Sequence, residues 1–176
     1  EICAMTGYDL FAVDYRLAPE YRHPSMFDDA LAATRYVLQM DNLPLVLCGD
    51  SAGGNLAAAV AHALRGRTAQ IVGQLLIYPA LGGDTGRGSY LVHAAAPMLS
   101  LDDVIFFERI RAEGQPPRHD PTFAPLMDRE FSKLPPTIVI TAECDPLSDD
   151  GREYCERIAA VGGKSMWINE PGLVHG

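Results

Sequence analysis

The protein has 176 residues, of which 48% are hydrophobic, and acidic residues outnumber basic ones 23 to 14, for a net charge of −9. This length is enough for one domain with a sizeable core. The acidic balance argues against nucleic acid as a partner, because a polyanion is bound by basic surfaces. The sequence contains no apolar run long enough to span a bilayer, so composition predicts a soluble, globular protein without a membrane span.

Five short apolar runs predict β-strands, and helical patterns lie between several of them. The predicted strands are residues 10–13, 45–48, 71–78, 137–141 and 165–169, and the clearest helices are residues 27–40, 55–64 and 151–161. Strands that alternate with helices are typical of a parallel sheet with right-handed crossovers. The pattern therefore predicts an α/β fold, a mostly parallel sheet with flanking helices.

A long segment, residues 80–136, interrupts the alternation. It contains many prolines, the glycine-rich run 82–88 and one predicted helix at Leu101–Arg111. The glycine-rich run suggests a phosphate loop, but it lacks the Gly-Lys-Ser/Thr that a phosphate loop carries at the start of its helix. We interpret the segment as an insertion into a single domain spanning residues 1–176, since long insertions commonly shape binding sites.

A serine lies between the second predicted strand and the helix that follows it. The sequence Gly49-Asp50-Ser51-Ala52-Gly53 matches G-x-S-x-G, in which small flanking residues allow a strained turn that exposes the serine hydroxyl. The start of the helix directs backbone N–H groups at any anion that forms beside the serine. The alternative interpretation is a strand-turn-helix connection in which the serine only caps the helix.

An activated serine needs a base, and the base needs an acid that orients it. Asp145 follows the fourth predicted strand and His175 follows the fifth. Parallel strands end at one edge of a sheet, so these side chains are expected to meet Ser51 there. Asp145 precedes a proline and could be a simple turn residue. His175 is favoured as the base over the other histidines, which lie in a helix or in loops without this placement: His23, His62, His93 and His119.

Motifs along almost the whole chain resemble the hormone-sensitive lipase-like branch of the α/β-hydrolases. They are DYRLAPE at 14–20, GDSAGGN at 49–55, YP at 78–79, DPL at 145–147 and HG at 175–176. The serine motif alone recurs in many hydrolases, but its combination with DYRLAPE at this spacing is highly specific.

This resemblance implies a carboxylesterase or lipase that hydrolyses short to medium acyl esters through an acyl-enzyme. Ser51 would be the nucleophile, His175 the base, and Asp145 the acid that orients it, with the N–H of Ala52 in the oxyanion hole. The reaction requires no metal or cofactor, and the partner is a small-molecule ester. In DYRLAPE, Arg16 and Glu20 are expected to serve structure only.

The same resemblance leads us to expect parts that the sequence does not contain. The family carries a His-Gly-Gly-Gly-type oxyanion loop before DYRLAPE and an N-terminal cap. Neither is present here. We interpret the chain as an internal fragment of a longer protein, with N-terminal strands and cap missing and a gap between the strand at 10–13 and the strand before Ser51. Alone, it is expected to be inactive and prone to aggregate.

Two other functions stay open from the sequence. Some members of the family act as non-catalytic small-molecule receptors, and peptidases occur on related hydrolase folds. The four cysteines show no C-x-x-C spacing, and Cys48 is expected to be a buried, reduced thiol in its strand. This cysteine usage favours a reducing compartment and hence the cytoplasm.

Overall fold

The protein folds around a four-stranded, all-parallel sheet in a computed structural model that describes residues 2–40 and 43–176. The strands, which neighbour one another in chain order, are β1 (Leu45–Asp50), β2 (Ile71–Ile77), β3 (Thr137–Cys144) and β4 (Ser165–Val174). The helices are α1 (Ile2–Thr6), α2 (Ser25–Met40), α3 (Ala52–Leu64), α4 (Ser89–Val92), α5 (Leu101–Arg111) and α6 (Ser148–Ala160), with a 3₁₀ turn at Pro125–Met127. The predicted α/β fold is confirmed.

The strand predicted at residues 10–13 does not form. This segment is irregular, and its Leu10 and Phe11 side chains are 59% and 54% exposed. A single extended segment becomes a strand only when its backbone groups pair with a neighbour. An open cleft of about 700 Å³ lies instead between the segment and β1, at the place where the motif resemblance predicts a gap in the sheet.

The first strand is at the edge of the sheet rather than in its middle. Among the described residues, β1 pairs with β2 alone, and the cleft borders its other side, so Leu47 is its one buried residue. The expectation that Cys48 is buried is therefore wrong, because its side chain is exposed. Cys48 and the other cysteines of the chain are free thiols.

Helices α3 and α6 cover one face of the sheet. Residues on this face alternate along the strands, and Leu47, Leu76 and Val139 are at most 8% exposed. The alanine-rich α3 is buried along most of its length, while α6 presents Tyr154 and Ile158 to the same core. The core of the protein thus lies between this face and two helices whose apolar residues recur at helical spacing.

The opposite face of the sheet is much more open. Val46, Ile138 and Met166 lie on it and are 41%, 40% and 57% exposed. Their register places Ile138 opposite Met166 on neighbouring strands. Among the described residues, the helices with extensive contacts to the strands are α3 and α6, so the two faces of this sheet have very different environments.

The helix α6 also fixes the position of the last strand. A Cβ on Gly151 would clash with the side chains of Thr141 and Val139, so glycine allows α6 to approach β3 closely. Trp167, on β4, donates its Nε1–H to Thr141 Oγ1 at 2.8 Å. These contacts hold β3, β4 and α6 together at the side of the sheet away from β1.

The segment 80–136 folds beside α6 and the carboxyl ends of the strands. Its helix α5 has the predicted bounds and begins with a capping box between Ser100 and Asp103. Leu81 and Leu126 are fully buried in the main core. Within residues 2–40 and 43–176, no helix is long and apolar enough to cross a membrane.

Candidate active site

Ser51 lies on the turn between β1 and α3 in a strained conformation. Its φ of 51° and ψ of −114° lie outside the regions that ordinary residues favour. The turn is held by backbone bonds, since Ser51 N–H donates to Ile77 O and Asn55 N–H donates to Ser51 O. The Ser51 side chain makes no capping bond to α3, so the interpretation of this serine as a mere helix cap does not describe its contacts.

Gly49 and Gly54 make this turn possible, and only Gly49 belongs to the G-x-S-x-G pattern. A Cβ on Gly49 would overlap the carbonyl of Gly53, and one on Gly54 would lie 2.9 Å from Pro79 Cβ. A Cβ on Gly53 would meet nothing within 4 Å. Gly49 and Gly54 are therefore the positions where the absence of a side chain allows close packing.

The three residues predicted from strand ends lie together at one edge of the sheet. Ser51 Oγ is 2.9 Å from His175 Nε2, and His175 Nδ1 is 2.7 Å from Asp145 Oδ2. These distances are those of hydrogen bonds along the whole Ser-His-Asp series. The arrangement can move a proton from the hydroxyl to the imidazole while the carboxylate holds the ring.

Asp145 is fully buried between β3 and α6, and its two oxygens have different partners. Oδ1 accepts from Leu147 N–H at 2.8 Å, and Oδ2 bonds His175. The first bond is the turn interaction that the alternative interpretation of this residue expects. It also orients the carboxylate, so the same aspartate is both a turn residue and the partner of the histidine.

His175 follows β4 directly and is held from a second side by an aromatic ring. The rings of His175 and Tyr78 lie 4.6 Å apart at 55°. Tyr78 comes immediately after β2 and has a positive φ of 32°. The Tyr-Pro motif at 78–79 was a sequence signal for this position, although the contact with the histidine could not be read from it.

Two of the other histidines have structural partners away from Ser51. His62 is buried in α3, where its Nδ1 lies 2.8 Å from Asp128 Oδ2, and burial lowers its pKa to about 4. His23 Nε2 lies 3.1 Å from Asp120 Oδ2. Both belong to the packing of the fold.

The backbone N–H of Ala52 is in the first turn of α3, next to the serine. Amides at this position have no acceptor within their own helix, and the positive end of the helix dipole favours a negative charge nearby. The oxyanion role that the resemblance implies for the Ala52 N–H stays a prediction.

An apolar pocket of about 300 Å³ opens beside Ser51. Its wall is formed by aliphatic and aromatic side chains from several segments: Tyr90, Leu99, Val104, Phe107, Phe123 and Leu147. Such a pocket can hold the hydrocarbon part of a small ligand while its polar end reaches the serine.

A buried amide and a buried guanidinium form part of the same wall. Asn55 Nδ2 donates to Ala80 O at 2.6 Å and to Phe123 O at 2.9 Å, and Asn55 Oδ1 accepts from Arg111 Nη2 at 2.9 Å. Burial lowers the pKa of Arg111 to about 10, and its guanidinium lies 4.2 Å from the Phe123 ring centroid. Asn55 belongs to the GDSAGGN motif, but its role in joining the pocket wall was not predicted.

The glycine-rich run 82–88 binds carboxylates of the protein itself. Gly83 N–H donates to Asp150 Oδ2 at 3.1 Å, and Ser89 N–H, just after the run, donates to Asp149 Oδ2 at 2.9 Å. Cβ atoms on Gly83 and Gly88 would clash with these two carboxylates. The run therefore has internal anions as partners, which explains its glycines without a phosphate.

The remaining expectations for site residues concern DYRLAPE and metals. Arg16 donates to the Asp29 carboxylate on α2 through Nε and Nη2, both at 2.8 Å, whereas Glu20 is exposed. Arg16 thus ties its segment to a helix. Among the residues that the structure describes, no three His, Cys, Asp or Glu side chains are grouped to hold a metal ion.

Comparison with known proteins assigns the chain to a family. Residues 1–176 match the family described as alpha/beta hydrolase fold. The chain belongs to the α/β-hydrolases. It is 39% identical to carboxylesterase NlhH of Mycobacterium tuberculosis over 94% of this chain and 55% of that protein. It is 32% identical to ethyl acetate hydrolase of Pseudomonas putida over 96% of this chain and 56% of that protein.

Solved structures agree with this assignment. The esterase of Pyrobaculum calidifontis superimposes with a TM-score of 0.92 at 34% identity, covering 99% of this chain and 60% of that one. The α/β-hydrolase chain thus spans a little over half the length of the relatives it matches. The family resemblance drawn from its sequence motifs is confirmed.

Proposed function

We propose that this α/β-hydrolase is part of a carboxylesterase that cleaves small-molecule esters through an acyl-enzyme on Ser51. The observation that carries the proposal is the continuous hydrogen-bonded series from Ser51 Oγ through His175 to Asp145, with distances of 2.9 and 2.7 Å. Relatives that are named carboxylesterase and ethyl acetate hydrolase support ester hydrolysis as the reaction.

In the proposed mechanism, Ser51 Oγ attacks the ester carbonyl as His175 Nε2 takes its proton. The tetrahedral intermediate collapses when the imidazolium returns that proton to the leaving alcohol, which gives the acyl-enzyme. Water, deprotonated by the same imidazole, then releases the acid. The buried Asp145 carboxylate keeps His175 in the tautomer whose Nε2 is free to accept.

The oxyanion of the intermediate forms beside the start of α3. We assign the Ala52 N–H as one donor to it, since its position in the first helical turn leaves it without a partner in the helix. The strained conformation of Ser51, with its φ of 51°, places the hydroxyl and this amide at the same turn. Removal of one oxyanion donor typically costs about 100- to 1,000-fold in turnover.

The pocket beside Ser51 sets the size of the ester that we propose. Its volume of about 300 Å³ and its aliphatic and aromatic wall suit one hydrocarbon arm of a short to medium ester. The proposed partner is therefore a small-molecule ester. The free thiols of the cysteines support a reducing compartment, and we place the protein in the cytoplasm.

A receptor function is the second candidate, and the state of the triad argues against it. A protein that only binds a small molecule needs a pocket but has no need of a strained serine hydrogen-bonded to a histidine and a buried aspartate. The peptidase alternative is disfavoured by the DYRLAPE segment and by relatives that are named as esterases.

The test is covalent labelling combined with turnover, on the protein as its gene encodes it. A fluorophosphonate is expected to label Ser51, identified by mass spectrometry of the modified peptide, and p-nitrophenyl butyrate is expected to be hydrolysed. Ser51→Ala should lose labelling and nearly all turnover with the fold intact, while Ser132→Ala, far from the triad in sequence, should retain both. Turnover by Ser51→Ala at the unmodified rate would contradict the proposal.

A further inference from the structure

Asp150 lies in the first turn of α6 and is 2% exposed. Three donors converge on its Oδ2 atom: Leu81 N–H at 3.1 Å, Gly83 N–H at 3.1 Å and Tyr90 O–H at 3.0 Å. None of them belongs to α6 or to the triad. A buried carboxyl oxygen with three donors holds the segments that carry them, because its displacement would leave buried donors without a partner.

One of these donors belongs to the wall of the pocket beside Ser51, and the other two flank a residue of that wall. Tyr90 itself lines the pocket, and Gly82, which lies between the two amide donors, lines it too. Leu147, which immediately precedes α6 and lies one turn before Asp150, also lines the pocket. Loss of the bonds to Asp150 Oδ2 would therefore free the pocket wall at two places, residues 81–83 and Tyr90.

We propose that Asp150 is a positioning residue that sets the shape of the substrate pocket by anchoring residues 81–83 and Tyr90 to α6. It touches neither the reacting atoms nor the triad. Its effect is on which esters fit, since the wall that it holds contacts the hydrocarbon arm and not the carbonyl. This inference deepens the proposed ester hydrolysis and rests on it.

The surroundings of Asp150 shift the pKa of its carboxyl group in opposite directions. Burial raises its pKa to about 7, against the bonds from Gly83, Tyr90 and Leu81, and Glu153 on the same helix acts in the same direction as burial. On the wall, Arg118 donates to Gly83 O at 2.9 Å. The bonds from Gly83, Tyr90 and Leu81 thus stabilise the charged form of Asp150, and the same bonds hold these three residues against α6.

The neighbouring Asp149 provides a matched comparison. It bonds Ser89 N–H at 2.9 Å and Arg152 Nη2 at 2.9 Å, and its side chain is 39% exposed. Ser89 precedes Tyr90 but does not line the pocket, and Asp149, unlike Asp150, makes no side-chain bond to Tyr90. An adjacent aspartate of the same helix turn, bound to the same segment, thus lacks the contact that the proposal requires.

The main experiment compares chain-length preference in Asp150→Asn, Asp149→Asn and the unmodified protein as its gene encodes it. Two series cover both arms of an ester: p-nitrophenyl acetate against hexanoate, and ethyl acetate against hexyl acetate. In the series where the unmodified protein prefers the longer chain, Asp150→Asn should reduce the ratio of kcat/KM for long over short esters about tenfold, the effect of losing burial of one or two methylene groups. Asp149→Asn should keep the ratio within about twofold.

This ratio separates positioning from general damage. A variant that is partly unfolded loses activity toward short and long esters equally, so its ratio stays unchanged. Hydrogen exchange at the amides of Leu81 and Gly83 should become faster in Asp150→Asn, which tests the anchor without any substrate. Faster exchange together with an unchanged ratio would overturn the proposal.

A second pair of variants disturbs the same contact from the other side. Gly83→Ala places a Cβ against Asp150 Oδ1, whereas a Cβ on Gly86 meets only Asp84 Oδ1, at 3.2 Å. Gly83→Ala should lower the chain-length ratio as Asp150→Asn does, and Gly86→Ala should not. Equal ratios in these two variants would count against the anchor even if Asp150→Asn failed to fold.

Binding without chemistry distinguishes failure of this inference from failure of the proposed function. In a Ser51→Ala background, p-nitrophenyl hexanoate should bind more tightly than the acetate, or hexyl acetate more tightly than ethyl acetate, and Asp150→Asn should remove that preference. If the preference responds to Asp150 but the unmodified protein hydrolyses no ester, the pocket assignment stands and the esterase proposal fails. If neither series shows a preference that Asp150 controls, the positioning role is wrong.

Discussion

The two faces of the sheet follow the same alternation but lie in different environments. On one face, Leu76 and Val139 are fully buried under α3 and α6, while on the other, Ile138 and Met166 are 40% and 57% exposed. Both faces carry aliphatic side chains, so hydrophobic composition does not separate them. The difference comes from which helices are available to cover each face.

This contrast also separates stability from chemistry. Asp145 and His175 follow β3 and β4, which α6 contacts, whereas Ser51 follows the edge strand β1 and lines the open cleft. The edge strand β1 and the irregular residues 10–13 border an open cleft. We expect substitutions of strand side chains to lower stability more on the covered face than on the open face, and substitutions in the triad to lower turnover wherever they lie.

The largest effect is expected at Asp145, which follows β3 on the covered side. Asp145→Asn should lower turnover by about 10⁴-fold with little change in stability, because the amide favours the imidazole tautomer that cannot accept the serine proton. Glu143→Gln, on the same strand end but exposed, is the control and should keep turnover near that of the unmodified protein. Steady-state kinetics with p-nitrophenyl butyrate measures both, and near-normal turnover in Asp145→Asn would show that another acid serves His175.

Two adjacent leucines of β2 test the contrast between the faces directly. Leu76 is fully buried on the covered face, whereas Leu75 points to the other face and is half-buried. In the 176-residue chain, Leu76→Ala should lower the free energy of unfolding by about 2–5 kcal/mol, and Leu75→Ala by less than half as much. Urea denaturation checks the pair; equal losses would mean that the open face is covered in solution.

The turn at Ser51 joins the edge strand to the core. Alanine substitutions at its glycines Gly49 and Gly53 are expected to change the stability of the protein in opposite directions. Gly49→Ala should destabilise the protein by about 1–3 kcal/mol, because its Cβ overlaps the Gly53 carbonyl. Gly53→Ala should stabilise it by about 0.5–1 kcal/mol, since Gly53 lies in α3 with open space at its Cβ position. Thermal unfolding distinguishes the two, and a loss of stability in Gly53→Ala would contradict this account of the turn.

The covered side is also expected to respond to acid through His62. Burial lowers the pKa of His62 from 6.5 to about 4, so the folded state favours the neutral ring. Its contribution is fully present above pH 6.5 and is lost as pH falls toward 4, amounting to about 2 kcal/mol between pH 8 and pH 5.

The measurement is the unfolding free energy at these two pH values in the unmodified protein and in two variants. His62→Gln should lower the difference in unfolding free energy (pH 8 minus pH 5) by about 2 kcal/mol relative to the unmodified protein. Asp150, whose raised pKa gives an opposite dependence, contributes equally to both proteins and cancels in this comparison. His119→Gln replaces an exposed histidine and should leave the slope unchanged. The same difference between the two pH values in His62→Gln and in the unmodified protein would show that His62 does not contribute to the acid sensitivity.

Much of the covered side could be predicted from the sequence because its signals are local. The strands β2 and β3 and the helix α5 appear as apolar or amphipathic runs within a few residues of their observed bounds. Ser51, Asp145 and His175 each follow a predicted strand, and a parallel sheet brings such positions to one edge. Local pattern and topology together were sufficient to place these three side chains near each other.

The errors and omissions depend on tertiary partners. Residues 10–13 have the apolar pattern of a strand but no neighbour to pair with. β4 continues through Pro171 and Gly172 to Val174, past the predicted end, because it follows β3 with a shift in register between Ala142 and Cys144. Pairing with β3 therefore keeps Pro171 and Gly172 within the strand, although a Pro-Gly sequence is typical of a turn.

The omitted pocket residues are joined across long stretches of chain. Asn55 bonds Arg111, 56 residues away, and Asp150 bonds Leu81, 69 residues away. Each residue alone has an ordinary interpretation, as a helix residue or as an acid in a first helical turn. No spacing rule relates such positions, so these contacts become visible only when the fold is known.

The single tryptophan of the chain provides an intrinsic optical reporter on one side of the sheet. Trp167 is bonded to Thr141 at 2.8 Å on the face that α6 covers, and it is 37% exposed. Its emission maximum should therefore shift to longer wavelength when β4 or α6 separates from β3, whereas loosening of the N-terminal segment should leave the spectrum unchanged. Fluorescence and circular dichroism followed in the same titration would thus show whether the two sides of the molecule unfold together or in sequence.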